Sequence, residues 1–549
     1  MTTLALLGTS GAGAPGDTGA SAATPGGPAA SAVARAGNAA GAPLTLVSQT
    51  PWVSAAQPWF NIDLGVGSSQ GAASGLHVSL TFYGRLNDSS QVQQAISGNP
   101  PTESLGRSIS VPVSANTAGG LSASACVTVV PQSSTGAPTA GDGACPAGAP
   151  TLVLGCTPLK GTCGDVYPLT VALLRQGSSN PVAHFTSFLT YQEPSAVGAT
   201  GPLRVALVLP VAGQGFDTMA DALATRPDVA ATLAVSPATV NTIDQQRSRG
   251  GTHALEQLEA LPNDEVINDS YVPINLAALS EAGISGEITA QMQRGDDLLR
   301  TAGLEPEAGP WVDPASSFSQ GDASNLATGL QVAGATQVVL SDSNLASGGL
   351  SNYTFAQPFG LDLGGTSPIP AAAVNSTLSA RFTAHPQNPV LSAEQLLAAL
   401  SFVHFEDPYL SNARGIVVAP PSGWRPSADF MHALLDGLSG NQVLSPVTLA
   451  QYFQEVPAGG GPNDREPTER HLQSGGETHG ITHNAADRIG LARQQLASYA
   501  DAVKPGHPPE LTSLSDALLA TEARGLSPAG RAAALGAYDK AFEGVTGKI

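Results

Sequence analysis

The spacing of apolar residues changes twice along the chain, which predicts regions of different architecture. Residues 8–43 are Gly, Ala, Pro, Ser and Thr with almost no large apolar side chain. Such a segment cannot bury enough surface to offset the entropy of ordering, so it is predicted to be disordered. From Leu44, short segments alternate apolar and polar positions between clusters of Gly, Pro, Asn and Ser. About seven or eight of these segments before residue 196 predict an antiparallel β-sandwich of immunoglobulin-like type.

The second change comes at Leu203, where the run LRVALVLPV carries apolar residues without polar alternation. A short apolar run bounded by Pro and Gly predicts a strand buried on both faces, as in a parallel sheet. Strand-like and helical segments then alternate as far as residue 455, with seven strand-like segments in all. This alternation predicts an irregular (β/α)7 barrel. The stretch 343–391 interrupts it and is predicted to be a lid-like insertion or a hairpin over the barrel mouth.

The C-terminal part is predicted to be helical after a polar, Gly-rich segment. Amphipathic patterns predict three helices, over residues 485–503, 513–524 and 528–546. Ser513 with Asp516 resembles a capping box at the start of the second helix. Ser527 before Pro528 gives the third helix an N-cap and a first-turn proline.

Together these patterns predict a multidomain chain. Its parts are a leader with the remnant of a signal peptide at 1–43, a β-sandwich at 44–196, the barrel at 202–455, a polar linker at 456–484 and a helical region at 485–549. The leader begins MTTLALLG, a short apolar core followed by small residues, which favours a secretion signal whose true start lies upstream. No stretch reaches the roughly 18 apolar residues that cross a bilayer.

Charge and cysteine content narrow the possible partners and the compartment. The chain of 549 residues has 23 Lys and Arg against 43 Asp and Glu, a net charge of −20, which argues against nucleic acid and anionic lipid as partners. The four cysteines are Cys126, Cys145, Cys156 and Cys163. An even, clustered set favours disulfides and an oxidising, extracytoplasmic compartment. We favour Cys156–Cys163 across a short loop, which leaves Cys126–Cys145; without a Cys-x-x-Cys motif or a nearby His, zinc is the weaker alternative.

Candidate chemistry lies at the carboxyl ends of the barrel strands, where enzymes of this architecture place their active sites. Asp269, Asp313 and Asp342 follow three consecutive predicted strands. They are candidates for a general acid and base pair or for metal ligands. The alternative is that each caps the turn or helix that follows, as Asp does routinely at strand ends. Two of these carboxylates within about 5–10 Å across one pocket would favour a glycosidase.

Aromatic residues near the same ends suggest a binding surface. Tyr271, Trp311 and Trp424 are candidate ligand-binding residues, since aromatic side chains with a few polar groups suit sugars or peptides. His479 and His483 are spaced i, i+4 but lack the Glu of a metalloprotease helix, so no metal site is predicted there. Nucleophile-elbow, Walker and Gly-rich phosphate-binding motifs are absent from the sequence, so no cofactor is predicted.

The order of these parts resembles a family of secreted or membrane-anchored actinobacterial envelope proteins of unknown function, often encoded beside the lipid II flippase. The resemblance covers residues 44–549 and rests on LTLVSQTPWV, on the series LRVALVLPV, LAVSP, YVP and WVDP, and on GIVVAPPSGW with SPVTLAQYF. It implies an extracytoplasmic protein whose full-length relatives continue into another β-sandwich and a C-terminal membrane anchor.

The barrel in turn resembles the polysaccharide deacetylase and related glycoside hydrolase barrels. That resemblance implies an Asp-Asp pair after the first strand and a His-x-x-x-His metal motif later. Here the first position reads Pro210-Val211-Ala212-Gly213, and DEVINDSYVP contains no His, so no deacetylase residue carries over. The sequence therefore favours a non-catalytic envelope protein that binds a cell-wall glycan or an envelope membrane protein. A glycan-active hydrolase using the three Asp residues and a structural module of a membrane assembly are the alternatives.

Overall fold

The computed structural model of the chain describes most residues from 43 to 547. The exceptions within that span are residues 68–69, 71–72, 117–118, 132–143, 157–162, 194–200, 214, 247–248, 347–355, 366, 407–411, 460–467, 477–479 and 504–508. The protein is a mixed α/β, multidomain chain. Its N-terminal β-structure, a parallel sheet with helices around it and a C-terminal group of helices follow one another along the sequence.

The N-terminal part consists of two β-sheets with a common core. Its strands are β1 (Leu44–Gln49), β2 (Val53–Ser54), β3 (Trp59–Val66), β4 (Leu76–Phe82), β5 (Ile109–Pro112), β6 (Ser114–Ala115), β7 (Leu121–Pro131), β8 (Thr151–Leu154), β9 (Asp165–Arg175) and β10 (Pro181–Gln192), with one helix, α1 (Ser89–Ile96), after β4. One sheet has the order β1-β3-β7-β6, with β8 also on β7, and the other has the order β2-β10-β9-β4-β5. Phe60 on β3 meets Phe82 on β4 edge to face, with ring centroids 5.8 Å apart, so the two sheets pack against each other.

The second part is a sheet of mainly parallel strands. They are β11 (Leu203–Val211), β12 (Thr232–Val235), β13 (Glu265–Asn268), β14 (Pro306–Glu307), β15 (Pro310–Asp313), β16 (Gln337–Ser341), β17 (Phe359–Asp362), β18 (Ile369–Val374), β19 (Gly415–Val418), β20 (Leu444–Val447) and β21 (Glu469–His471). The main order is β14-β13-β12-β11-β19-β18-β16-β15, and β20 lies beside β11. Because β14 and β15 are joined by residues 308 and 309, the two ends of the sheet are adjacent along the chain.

Helices cover the outer face of this sheet. They are α2 (Phe216–Ala224), α3 (Pro237–Gln246), α4 (Arg249–Glu259), α5 (Leu276–Glu281), α6 (Gly286–Thr301), α7 (Ala323–Ala333), α8 (Ser376–Ser379), α9 (Pro389–Glu406), α10 (Ala428–Leu438) and α11 (Leu449–Glu455). The first strand, β11, is buried on both faces, as its unbroken apolar run predicts. Leu207 and Leu209 pack in the cluster formed with the helices, whereas Ala206 and Val208 pack with residues of β12, β13, β16, β18 and β19. The second cluster is the interior of the sheet, filled mainly by small and branched side chains together with Tyr452 of α11.

The stretch 343–391, predicted to be an insertion or hairpin over the mouth, contributes to the sheet itself. β17 and β18 form an antiparallel hairpin, and β18 also pairs in parallel with β16 and with β19. The sequence of β18, IPAAAV, gives a weak strand signal because Ala has low β-propensity. In this position Ala371 and Ala373 pack outward, and Ala372 packs inward, where larger side chains would crowd the neighbouring strands.

Helix α9 joins the two-sheet part to the parallel sheet. Every residue from Val390 to His404 is buried. Leu391 packs in the core between the two N-terminal sheets, and Leu396 packs in the core with the barrel helices. Polar side chains on the helix bond the N-terminal strands: Gln395 Nε2 donates to Thr186 O at 2.8 Å. The helix therefore belongs to both cores.

The C-terminal helices are α12 (His483–Ala502), α13 (Pro509–Ala520) and α14 (Pro528–Thr546). Ser527 caps α14 as predicted, since its Oγ accepts a hydrogen bond from Gly530 N at 3.1 Å. The predicted capping box of Ser513 and Asp516 is wrong, because α13 begins four residues before Ser513 and Asp516 instead bonds a barrel helix. No helix among the described residues is long and apolar enough to cross a membrane.

Part of the segment 456–484, predicted to be a polar linker, is ordered as strand β21. It pairs in parallel with β17, and Leu472 forms a bridge with Leu345. The guanidinium of Arg470 lies 5.7 Å from the ring centroid of Phe359, over its face. A three-residue strand in polar sequence carries no periodic signal, which is why the pattern alone does not reveal it.

Both favoured disulfides are present. Cys126–Cys145 and Cys156–Cys163 have Cα–Cα distances of 5.4 Å and 5.2 Å, and no free cysteine remains. The first ties β7 to the residues before β8, and the second closes the short loop before β9. Two disulfides in one small region are compatible with an oxidising, extracellular environment.

We expect Leu396→Ala to lower the free energy of unfolding by about 2–5 kcal/mol, because it leaves a cavity in the core that α9 shares with the barrel helices. Leu491→Ala is the matched control, since Leu491 is 55% exposed and its truncation changes that free energy by about 0.5 kcal/mol or less. Urea unfolding of the full chain measures both. Equal effects of the two variants would contradict the central position of α9.

Candidate functional site

The three candidate carboxylates lie where the sequence predicts, at the carboxyl edge of the parallel strands, called the barrel mouth below. Asp269 follows β13, Asp313 is the last residue of β15, and Asp342 follows β16. The three carboxylates lie at the same edge of the sheet but differ in how deeply they are buried. Asp313 is almost completely buried, whereas Asp269 and Asp342 keep part of their surface exposed.

Asp313 is held by two groups. Its Oδ1 accepts a hydrogen bond from Ser316 N at 3.0 Å and forms an ion pair with Nη1 of Arg524. The same Nη1 lies 3.3 Å from Ser316 Oγ. Burial raises the pKa of Asp313, and the charge of Arg524 opposes this shift. Asp313 thus both caps its own turn and anchors an arginine that comes from 211 residues further along the chain.

Asp269 is the second carboxyl group at the mouth with a raised pKa. Desolvation raises its pKa to about 7; the charge of Arg524 lowers the pKa and that of Asp313 raises it further. The next residue, Ser270, is buried and has φ 55°, the left-handed conformation that non-glycine residues rarely adopt. Ser270 Oγ lies 2.6 Å from the carbonyl oxygens of both Asp269 and Val272, which stabilises this turn. The turn fixes the direction in which Asp269 leaves the strand.

Asp342 has a structural role. Its Oδ2 accepts a hydrogen bond from Ser376 N, the first residue of α8, at 3.1 Å. This contact reaches a helix 34 residues further along the chain, whose N-cap is Asn375, so Asp342 does not cap the turn that follows it. Asp269 and Asp313 interact electrostatically through Arg524, and Asp342 takes no part in that interaction.

Arg524 lies in residues 521–527 between α13 and α14, called the α13–α14 loop below. Arg524 N donates to Pro273 O at 2.9 Å, which fixes the loop beside the residues that follow β13. Gln291 on α6 donates to Leu519 O at 2.9 Å and to Glu522 Oε2 at 2.8 Å. From α14, Arg531 donates to the carbonyl of Ala523 in the loop at 3.3 Å. These contacts hold the backbone so that the Arg524 side chain reaches the mouth.

Further ion pairs connect the C-terminal helices to α6. Arg294 binds Asp516 in a bidentate pair, with Nε–Oδ1 and Nη2–Oδ2 distances of 2.6 Å and 2.8 Å. Arg493 on α12 binds Glu287, with its Nε 3.0 Å from Oε1. Paired charges with good geometry are the form in which ionised groups tolerate burial, and removing one partner is costly. The C-terminal helices are therefore bonded to the barrel at several independent points.

Glu522 completes this interface as a buried acid. Its pKa lies well above the ordinary value because of burial, the charge of Glu287 and a hydrogen bond between the two carboxyl groups. The guanidinium of Arg493 favours the ionised form of Glu522 but only partly offsets these effects. The raised pKa favours the protonated form of Glu522, which avoids placing two like charges side by side in the interface.

Two of the three predicted ligand-binding aromatics are buried. Tyr271 is 7% exposed and lies near Asn241, Arg294 and Asp516, under the C-terminal helices. Trp311 is 5% exposed and packs with residues of α5 and α7 on the outer side of the sheet. Its indole Nε1 is buried without a hydrogen-bond partner among the described residues. Neither side chain is part of the open surface of the mouth in this conformation.

Trp424 lies on the other side of the mouth, after β19, and is half-buried. Its ring meets Phe382 and Phe430 edge to face, at centroid distances of 5.3 Å and 5.9 Å. The loop that carries it touches the residues after β11, where Gly215 lies against Pro426. The nearby residues Pro210, Ala212, Gly213, Ser422 and Gly423 are exposed, and so is Arg425, so this rim consists mainly of small residues and carries one cation beside Trp424.

In the described part of the chain, no three His, Cys, Asp or Glu side chains are grouped so that they could hold a metal ion. Of the two histidines spaced i, i+4, His479 lies outside the described residues, and His483 is exposed at the start of α12.

Comparison with known proteins finds no matching family model and no matching curated protein. Among solved structures, the chain is similar to a 4-alpha-glucanotransferase from Thermococcus litoralis, with 13% identity and a TM-score of 0.37, over 62% of this chain and 55% of that one. It is also similar to an exo-type maltose-forming amylase from Pyrococcus sp. ST04, with 10% identity and a TM-score of 0.38, over 55% of this chain and 57% of that one. A putative polysaccharide deacetylase from Mycobacterium smegmatis is similar at 14% identity and a TM-score of 0.32, over 47% of this chain and 91% of that one. This chain thus spans about half of the glucanotransferase and the amylase.

Arg524, whose charge acts on both Asp269 and Asp313, is not among the residues that the sequence patterns indicate. The local sequence, TEARGLSP, indicates only that one helix ends there and that a second begins after Ser527 and Pro528. Nothing in that stretch indicates a contact with Asp313, because a long-range ion pair leaves no periodicity in the sequence. The charge of the loop is the single available signal: Arg524 is its only basic residue.

The raised pKa of Asp269 predicts a pH dependence of stability. In the unfolded chain Asp titrates near 4, whereas in the fold Asp269 titrates near 7, so its contribution to stability is complete below pH 4 and is lost as the pH rises to 7. Relative to Asp269→Asn, we expect the wild type to lose on the order of 2–4 kcal/mol between pH 4 and pH 8.

Chemical unfolding at several pH values measures this difference. Asp342→Asn is the matched control, because Asn also accepts the hydrogen bond from Ser376 N and should leave the pH profile unchanged. Identical profiles for wild type and Asp269→Asn would show that Asp269 is not desolvated.

Proposed function

We propose that this chain is a non-catalytic extracytoplasmic protein of the cell envelope that binds a glycan, or a protein partner, through the barrel mouth. The observation that carries the proposal is the ion pair between Asp313 and Arg524. A glycosidase of the common type needs two carboxyl groups that both reach the substrate, one as acid and one as base or nucleophile. Asp313 is buried and paired with Arg524, and Asp342 accepts a hydrogen bond from the first backbone N–H of α8, which leaves Asp269 without a second carboxylate of that kind.

The rim around Trp424 supports binding. Apolar and aromatic surface with few charges suits the faces of sugar rings, which stack on such side chains. Trp424 keeps part of its surface exposed while Phe382 and Phe430 hold its ring in one orientation. A ring fixed before binding loses little entropy when a ligand arrives. The two disulfides support the extracytoplasmic compartment of the proposal.

We expect wild-type protein to bind purified cell-wall fragments in a pull-down and Trp424→Ala to bind at least about tenfold more weakly, since about 1.4 kcal/mol of lost aromatic contact gives this factor. Trp311→Phe is the control, because Trp311 packs on the outer side of the sheet. Thermal unfolding of each variant confirms the fold.

If wild type and Trp424→Ala both bind no fragment, glycan binding is excluded, and an envelope protein partner or a structural role in a membrane assembly takes its place. If both bind equally well, the contact surface lies elsewhere.

A glycan-active hydrolase is the second candidate, and Asp269 is the observation that favours it. A partly accessible carboxyl with a pKa of about 7 is suited to general acid or base catalysis near neutral pH. The left-handed Ser270 beside it is the kind of strained backbone that occurs at functional sites.

The two candidates differ in a direct assay. Under the non-catalytic proposal, incubation of wild type with cell-wall glycans releases no more reducing ends or acetate than incubation of Asp269→Asn. The hydrolase would be the correct function if wild type released these products, Asp269→Asn and Asp313→Asn released none, and Asp342→Asn were still active.

A further inference from the structure

The α13–α14 loop brings one side chain to the barrel mouth that the barrel itself does not supply. Arg524 is 29% exposed at its side chain, whereas its partner Asp313 is only 3% exposed. The arginine therefore faces solvent on one side and a buried carboxylate on the other. The other two arginines of the interface, Arg294 and Arg493, have similarly exposed side chains, 23% and 28%. Each of those two binds its carboxylate through two nitrogens, whereas Arg524 binds Asp313 through one.

The guanidinium of Arg524 has hydrogen-bond donors that no described residue uses. Of its five N–H groups, only those on Nη1 bond the described residues, to Asp313 and to Ser316 Oγ. Nε and Nη2 make no hydrogen bond within the described part of the chain. The two contacts at Nη1 anchor that end of the guanidinium, so the remaining donors stay at the barrel mouth.

Asp269 provides an acceptor beside this donor. Arg524 N donates to Pro273 O at 2.9 Å, four residues after Asp269, so the α13–α14 loop lies against the turn that carries Asp269. The charges of the two side chains interact, and Asp269 keeps part of its surface exposed. Behind both, Asp313 Oδ2 is buried without a hydrogen-bond partner among the described residues. Donor, acceptor and an unsatisfied buried oxygen thus meet at one place, the kind of arrangement that a polar ligand or its ordered water satisfies.

We infer that Arg524 and Asp269 form a donor–acceptor pair that binds the hydroxyl groups of a neutral oligosaccharide, so that the binding mouth is complete only with the C-terminal helical region docked. This inference rests on the proposed binding function and names its ligand class and a further binding residue. Arg524 is a ligand-binding residue, and Asp313 positions it.

The charges at the mouth favour a neutral ligand. Two carboxyl groups, Asp269 and Asp313, surround a single guanidinium, and the chain carries a net charge of −20. An anionic sugar would meet repulsion from Asp269, and a cationic one would meet Arg524. A sugar hydroxyl accepts from the arginine and donates to the aspartate, so it uses both groups without placing a new charge between them.

Isothermal titration calorimetry of the full chain tests this inference with two probes of equal length. One is the neutral hexasaccharide of N-acetylglucosamine, and the other is the anionic hexasaccharide of galacturonic acid. We expect wild type to bind the neutral probe at least tenfold more tightly than the anionic one. Arg524→Gln should weaken binding of the neutral probe at least tenfold, and Arg524→Lys, which keeps the charge, should recover part of that loss.

Arg294→Gln separates contact with the ligand from docking of the helices. It breaks the pair with Asp516 in the same interface, away from the mouth, and should leave the affinity within about threefold of wild type, an energy below that of one hydrogen bond to a charged group. Near-ultraviolet circular dichroism and thermal unfolding confirm that each variant is folded.

Several results would overturn the inference. Wild-type affinity in Arg524→Gln would show that the arginine does not touch the ligand, and an equal loss in Arg294→Gln would show that docking alone matters. Preference for the anionic probe would refute the ligand class. If wild type binds cell-wall fragments but neither probe, the ligand class is wrong and the proposed function stands. If it binds neither fragments nor probes, the inference fails together with glycan binding, and a protein partner or a structural role takes their place.

Discussion

The ion pair between Arg524 and Asp313 is the interaction on which the chemistry of the barrel mouth depends. A carboxylate as deeply buried as Asp313 is costly unless a cation and hydrogen bonds compensate it. The compensation comes from outside the barrel, from a loop that Gln291 and Pro273 hold in place. Strand β15, the α13–α14 loop and helix α6 are therefore linked through one set of buried polar contacts, and a change in any of them alters the mouth.

The same pair determines what Asp269 can do. If Arg524 were absent, two neighbouring carboxyl groups at the mouth would repel each other, and one would keep its proton well above neutral pH. With Arg524 bound to Asp313, Asp269 titrates near 7 and stands as a single acidic group beside a cation. That combination suits hydrogen bonding to a ligand more than the two-carboxylate chemistry of glycoside hydrolysis.

Periodicity predicted the elements well where local sequence determines structure. The run LRVALVLPV is a strand buried on both faces, and Ser527 caps its helix. Periodicity did not predict β18 and β21, because their structure depends on the neighbouring strands. β18 is rich in Ala, and β21 is short and polar, so neither carries a strand pattern of its own. The immunoglobulin-like type of the N-terminal sheets and the count of seven barrel units stay predictions.

The candidate site shows the same limit. The strand-end rule located Asp269, Asp313 and Asp342 at one edge of the sheet, but it could not distinguish a carboxylate that bonds a backbone N–H from a reactive one. That distinction depends on burial and on Arg524, whose partner is 211 residues away. Tyr271 and Trp311 show the same limit, because both lie near strand ends in the sequence and are nevertheless buried in the fold.

A crystal structure of the full chain soaked with the N-acetylglucosamine hexasaccharide tests binding without catalysis most directly. We predict an intact oligosaccharide in the barrel mouth, with a sugar hydroxyl within hydrogen-bond distance of Arg524 and Asp269 and with the C-terminal helices docked. A cleaved or deacetylated sugar in the mouth would contradict a non-catalytic role. An intact sugar bound away from Arg524 would contradict the composite site.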